Sequence, residues 1–392
     1  MSDAESPEQR KAMENFVAEY EQTTTDKLNF QFLDIRKDQA DLREDDAYSC
    51  STGQSPQNFM RNRYRDILPY NTNRVVLDPT SDNPDGYINA SHITFPETST
   101  RYIASQAPLP ETVVDFWQMI CQYKIKVVAM LCKCVESFAP KCEQYWPKEE
   151  GETKTYGSYT VTFVKEDAFN EYCHRSLLVK SEKYGELQVE QLHYTEWPDH
   201  GCPTGEEYIL QLMERMNELH ANDGSPILLH CSAGCGRTGT VIALNIIREL
   251  MNNKKLVLIC VKQLVLDLRK QRTSMVQTQT QYHLLHKCIA VYCKKMLGIT
   301  TETKSPSSPP EIIKPISPKL ITQLDTPKKL PLISPKPSII TSLPPSTTTT
   351  TNEKPTLTIN TSNGSNNATN TNNTNPFLND VANDNAELVV RL

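Results

Sequence analysis

Absences narrow the chemistry before any motif is read. None of the twelve cysteines form a C-x-x-C pair, and Cys132 and Cys134 are only two apart, so no zinc-site spacing is present. No apolar run approaches the roughly 18 residues that cross a bilayer. The opening MSDAESPEQRKAMENF lacks the apolar stretch of a signal peptide. Basic charge is also in short supply: 41 Lys and Arg stand against 47 Asp and Glu, with no basic stripe of the kind that follows nucleic acid. These features predict a cytoplasmic protein with reduced thiols, no transmembrane segment, no nucleic-acid partner and no metal.

The composition changes near residue 300. The 392-residue chain has enough apolar content for one sizeable core. From Thr301 onward the pattern dissolves into Pro/Ser/Lys-rich and then Thr/Asn-rich sequence. Such segments cannot bury enough surface to offset ordering entropy, so residues 300–392 are expected to be disordered. Ser305, Ser308, Ser317, Thr326 and Ser334 each precede proline, which suits proline-directed phosphorylation. Asn375-Pro376-Phe377 and the terminal Val390-Arg391-Leu392 are candidate motifs for tail-binding adaptor domains.

Regular elements are legible before that point. Residues 7–22 suit a helix with Met13, Phe16, Val17 and Tyr20 on one side, docked on the main domain. VVAMLC (127–132) and PILLH (226–230) are unbroken apolar runs, as in buried strands. YTVTFV (159–164) and ELQVE (186–190) alternate, as in strands with one wet face. The segment from Thr204 places Thr204 and Glu207 at capping-box spacing ahead of Ile209, Leu212, Met213, Met216 and Leu219. TVIALNIIRELM follows as a helix, and a last helix, 278–296, opens with Thr278 and Gln281 at the same spacing. Strands and helices mix without strict alternation, which predicts one α/β domain with a mixed, highly twisted central sheet flanked by helices.

The stretch HCSAGCGRTG, His230 to Gly239, sits between a buried strand and a helix. Backbone amides of such a turn and the helix N-terminus converge on one point and bind a tetrahedral oxyanion. Gly234 and Gly236 allow close backbone approach. Arg237 offers a planar fork for two phosphate oxygens. No Walker A lysine is present, and Cys231 stands at the centre. A helix N-terminus and an adjacent cation lower a thiol pKa from about 8.5 to roughly 3.5–7.5. Cys231 is therefore expected to be a thiolate and a nucleophile toward phosphorus. Thr238 can donate a hydrogen bond to its sulfur.

The stretch resembles the signature loop of the protein tyrosine phosphatases. NRYRDILPYNTNRVVL (62–77), YINASHI (87–93), YIASQAPLPETVVDFWQMI (102–120), KCEQYWP (141–147), WPDHG (197–201) and QRTSMVQTQTQY (271–282) resemble further blocks, in the family's order. The second cysteine, the KCEQYWP block and the N-terminal lead are most similar to the PEST-type non-receptor group. The tail's Asn/Thr repeats depart from that group, whose C-terminal homology segment is not evident.

The resemblance implies roles. Cys231 attacks phosphorus. Arg237 and the loop residues Ser232, Ala233, Gly234, Cys235 and Gly236 bind the phosphoryl group. Asp199 protonates the leaving phenolate and then acts as base, while Trp197 and Pro198 form the hinge of a closing loop. Gln277 orients the hydrolytic water. Gln281 either assists it or only caps its helix. Tyr64 stacks on the substrate ring at a depth phosphoserine cannot reach, and Asp66 binds the substrate backbone. Glu136 holds Arg237, and Lys141 lies near the acid loop, in a turn where Phe138-Ala139-Pro140 replaces the usual glycine. His230 is a base or, as favoured, a loop support, and Cys235 a packing residue rather than a second nucleophile. The implied mechanism needs no cofactor. The expected organisation is a helical lead (1–27), a catalytic domain (28–299) that is monomeric, and the tail. The expected partners are phosphotyrosine proteins. A catalytically silent phosphotyrosine-binding module and a lipid or dual-specificity phosphatase are the rival readings.

Overall fold

The computed structural model describes residues 6–42, 45–169, 172–198, 201–203, 205–220 and 222–299. The tail, and with it every phosphorylation and adaptor motif named above, lies outside the described residues, as does Asp199. Helix α1 (Pro7–Gln22) begins where Ser6 Oγ accepts from the Gln9 amide at 3.1 Å, with Pro7 at the first helical position. It is followed by α2 (Thr25–Leu42) and the single turn α3 (Ser51–Gln54). Met13, Phe16 and Val17 are buried in the same core as the rest, and Phe16 stacks on His286.

The strands β1 (Arg74–Val76), β2 (Tyr87–Ile93) and β3 (Tyr102–Ser105) lead into α4 (Val113–Gln122) and β4 (Val127–Met130). A hairpin of β5 (Val135–Glu136) and β6 (Ala139–Pro140) stands apart from the main sheet. Then come β7 (Thr153–Tyr156), β8 (Tyr159–Ala168), β9 (Tyr172–Ser181) and β10 (Gly185–Tyr194). The remaining elements are α5 (Glu206–Leu219), β11 (Ile227–His230), α6 (Gly236–Asn252), α7 (Val261–Arg269) and α8 (Gln279–Met296). Among the described residues the main sheet has nine strands in the order β1-β2-β3-β11-β4-β10-β9-β8-β7.

The four central strands β3, β11, β4 and β10 run parallel, and antiparallel strands extend the sheet on both sides. The continuous apolar runs of β4 and β11 are explained by this placement, since both strands are wholly buried. Strand β10 is wet only in its first half; from Gln191 to Tyr194 it is buried on both faces, because there it pairs with β4. Thr278 caps α8 and Gln281 returns the bond, as the spacing predicts. Helix α5 differs from expectation. Its N-cap is Gly205, which has no side chain to offer, and Thr204 lies outside the described residues. No helix among the described residues is long and apolar enough to cross a membrane.

Candidate active site

Ligand sites on parallel strands gather beyond their carboxyl ends, and the chemistry-bearing segments here follow that rule. The 231–235 loop follows β11, the Glu136 hairpin follows β4, and Trp197 follows β10. They enclose a cleft of about 360 Å³. Tyr64, Asp66, Glu136, Lys141, Cys231, Ser232, Ala233, Gly236, Arg237, Gln277 and Gln281 all line it.

Cys231 lies at the bottom, 5% exposed. Its loop turns through Gly234 at φ +70°, where a Cβ would stand 2.1 Å from the Ser105 carbonyl oxygen, so only glycine fits. The Gly234 amide donates to Cys231 Sγ at 3.2 Å, and the nearby amides of Cys235 and Thr238 favour the charged sulfur. Burial raises the thiol's pKa, but the Thr238 hydroxyl, the Arg237 guanidinium and these amides outweigh it, leaving the value below that of an ordinary thiol. Thr238 Oγ1 is buried and has no hydrogen-bond partner among the described residues, so its proton is available to the sulfur. For Cys235 burial wins: it pushes the thiol up to about 12 despite Arg272 and the Gly236 amide, which keeps it neutral.

Arg237 is fixed by a bidentate pair with Glu136, at 2.6 and 2.9 Å, and by donation to the Leu131 carbonyl at 2.9 Å. Glu136 is itself buried, so it is not a solvated charge. Burial opposes the guanidinium charge, yet Glu136 and Cys231 hold the arginine's pKa above its usual value. A second nitrogen of Arg237 reaches the Pro198 carbonyl at 3.3 Å, tying it to the loop that carries Asp199. Trp197 is buried there, with Nε1 donating to the Gly201 carbonyl at 3.3 Å and its ring edge-on to Tyr194.

His230 is wholly buried between the Tyr145 hydroxyl (3.0 Å) and the Cys231 carbonyl (3.2 Å), and burial pushes its pKa down to about 4. A neutral ring held on both sides supports the loop. Tyr64 stands on the wall with its hydroxyl 2.9 Å from Ser232 Oγ, which in turn donates to the Lys141 carbonyl at 3.1 Å. Gln281 spends its Oε1 on the Gln277 and Thr278 amides, at 2.8 and 3.2 Å. Its capping role is therefore filled, while Gln277 keeps its side chain on the cleft.

Arg272 escaped the motif reading although it sits inside QRTSMVQ. Fully buried, it donates to the carbonyls of Gly234 (2.7 Å) and Ala233 (3.0 Å) and to Asn89 Oδ1 and Ser91 Oγ. By holding those carbonyls outward it turns the loop amides inward. Arg269 does the same for the next segment, binding the Met275 and Val276 carbonyls.

Comparison with known proteins fits this geometry. The family model for protein-tyrosine phosphatase matches residues 58–291. The human tyrosine-protein phosphatase non-receptor type 18 is 35% identical over 270 residues, 68% of this chain and 58% of that protein. The human non-receptor type 12 is 35% identical over 270 residues, 68% of this chain and 34% of that protein. The chain thus matches less than two thirds of the length of either. A solved structure of PTPN18 in complex with HER2 phosphopeptides superposes with a TM-score of 0.67 at 33% identity, covering 72% of this chain and 99% of that one.

Proposed function

The chain belongs to the protein-tyrosine phosphatase family, and from that premise we propose that it hydrolyses phosphotyrosine in proteins through a phosphocysteine intermediate. The observation that carries the reading is the lowered Cys231 thiol beneath an arginine locked by Glu136. The Cys231 thiolate attacks phosphorus in line, while Arg237 and the loop amides hold the phosphoryl oxygens as charge redistributes. Asp199 gives its proton to the departing phenolate and then takes one from the water that Gln277 orients, so that the sulfur–phosphorus bond breaks. Thr238 stabilises the sulfur as it leaves. Closure of the Trp197–Pro198 loop delivers Asp199 only over bound substrate.

Tyr64 favours phosphotyrosine over the lipid and dual-specificity alternatives, because a ring on the wall sets the depth at which the thiolate can be reached. Presence of the cysteine, arginine and aspartate together favours an enzyme over a silent binding module. By extension from the PTPN18 phosphopeptide complex, the partners are phosphotyrosine segments of signalling proteins, met in the cytoplasm by a monomeric domain. Adaptor binding and phosphorylation in residues 300–392 belong to the same proposal.

The test compares phosphate release from a phosphotyrosine peptide, its phosphoserine counterpart and a phosphoinositide. Turnover of the first alone, abolished in Cys231→Ser, supports the reading. Preference for the lipid, or turnover that survives Cys231→Ser, rejects it.

A further inference from the structure

Two cysteines outside the nucleophilic loop meet at the neck of the hairpin that carries Glu136. Strand pairing of Val135 with Pro140 and Glu136 with Ala139 fixes the register. One step further out, the Cys134 carbonyl accepts from both the Lys141 amide (2.8 Å) and the Cys142 amide (3.2 Å). Two residues opposing one is a β-bulge, and it sets Cys142 as well as Lys141 opposite Cys134. Opposed residues of an antiparallel pair have Cα atoms about 4.5–5.5 Å apart, inside the roughly 4.4–6.8 Å that a disulfide spans. Both cysteines are free, and their thiols lie close enough to shift each other's acidity. Cys134 is half-buried and Cys142 buried, its sulfur 3.1 Å from the Glu143 carbonyl.

We propose that Cys134 and Cys142 form a second redox site, a dithiol that a hydroperoxide converts to a disulfide independently of Cys231. Cys134 is the thiol that meets the oxidant, since it alone of the two has open surface. Its thiolate attacks one peroxide oxygen, the O–O bond breaks, and a sulfenic acid and hydroxide result. Cys142 then attacks the Cys134 sulfur, the S–O bond breaks, and water leaves with the Cys142 proton. Two thiols and one peroxide thus give one disulfide and two waters. The division of labour agrees with the acidities. The neighbouring Cys142 side chain, and then Arg175, lower the Cys134 pKa against burial and the Glu143 charge, whereas burial raises that of Cys142. The bond would close the base of the hairpin whose Glu136 grips Arg237.

The chemistry does not depend on the phosphatase reading and is tested without it. Trypsin cuts after Lys126, Lys133, Lys141 and Lys148, so Cys132, Cys134 and Cys142 fall on three separate fragments. The full-length protein, reduced and then exposed to hydrogen peroxide, is alkylated, digested and analysed by mass spectrometry. The expected result is linked 134–141 and 142–148 fragments exceeding every other cysteine pair. Two alkylatable thiols are lost with the link and return with dithiothreitol. Cys134→Ser should remove the link while its melting temperature stays at the wild-type value. The proposal is overturned if both fragments stay unlinked at peroxide levels that have oxidised Cys231, or if Cys142 links to Cys132 instead.

Discussion

Glu136 and Arg237, 101 residues apart in sequence, close a buried fork of two hydrogen bonds at 2.6 and 2.9 Å. The fork fixes the plane of a guanidinium that lines the cleft. Removing one partner of a buried pair costs about 3–5 kcal/mol because the other is left uncompensated. Glu136→Ala should therefore lower stability by that order, and kcat/KM by roughly 10²–10³, the scale of losing one oriented donor. Glu136→Gln keeps the shape without the charge and should fall between. Steady-state kinetics beside thermal melts check this; an unchanged kcat/KM in Glu136→Ala would show that Arg237 is held without Glu136.

Arg272 touches no substrate, yet its bonds to the Gly234 and Ala233 carbonyls hold the nest in shape. Arg272→Ala should slow turnover and also slow alkylation of Cys231 at pH 6.5, because the amides that stabilise the thiolate are no longer aimed at it. Arg272→Lys should not rescue either reading, since a single ammonium cannot span four acceptors. A variant that lost only thermal stability, with alkylation at the wild-type rate, would reduce Arg272 to a packing role.

These two residues mark the limit of what the sequence disclosed. Cys231, Arg237 and Thr238 lie in one contiguous stretch, so spacing alone joined them. The Thr278–Gln281 cap is local and was read correctly. Glu136 entered only through family resemblance, because nothing within ten residues of it points to an arginine 101 positions away. Arg272 gave no signal at all: its partners Asn89 and Ser91 lie more than 180 residues upstream, brought in by β2. The wet face expected along ELQVE ends where β10 meets β4, a pairing of distant segments that alternation cannot show.

Three buried histidines set an acid limit on the fold. Burial lowers His193 to about 3 and His230 and His286 to about 4, from 6.5. The unfolded chain binds these protons first, so stability is complete above pH 6.5 and falls as pH drops toward 4. Each histidine contributes about 1.4 kcal/mol per pH unit across that window. Denaturant melts at a series of pH values should show the slope, and His286→Asn should flatten it by about one proton. A stability that is flat from pH 6.5 to 4 contradicts the buried neutral state.

Cys231 should be the most reactive thiol of the chain in weak acid. Its pKa lies below the ordinary thiol value, whereas burial raises Cys121, Cys235 and Cys293 to about 12. Iodoacetamide at pH 6.5 should label Cys231 first and abolish turnover in step, and peroxide should inactivate reversibly by the same route. Cys134, whose pKa is also lowered, should follow. Labelling of Cys231 no faster than of Cys121 would mean that the amides and Arg237 do not overcome burial.

Tyr64 tests whether depth sets specificity. Its ring walls the cleft, and its hydroxyl is 2.9 Å from Ser232 Oγ. Two separate contributions follow, one from the ring and one from the hydroxyl. Tyr64→Phe removes a single neutral hydrogen bond, about 1 kcal/mol, and should reduce kcat/KM on a phosphotyrosine peptide by no more than about tenfold. Tyr64→Ala removes the aromatic contact as well and opens the wall, so the loss on phosphotyrosine should be larger. The shallower cleft should also admit the shorter phosphoserine side chain. The ratio of kcat/KM for one peptide carrying phosphotyrosine or phosphoserine should therefore shrink in Tyr64→Ala and stay near wild type in Tyr64→Phe. If Tyr64→Ala lowers both substrates equally and leaves the ratio untouched, the ring supplies binding without discrimination, and selectivity must come from elsewhere in the cleft.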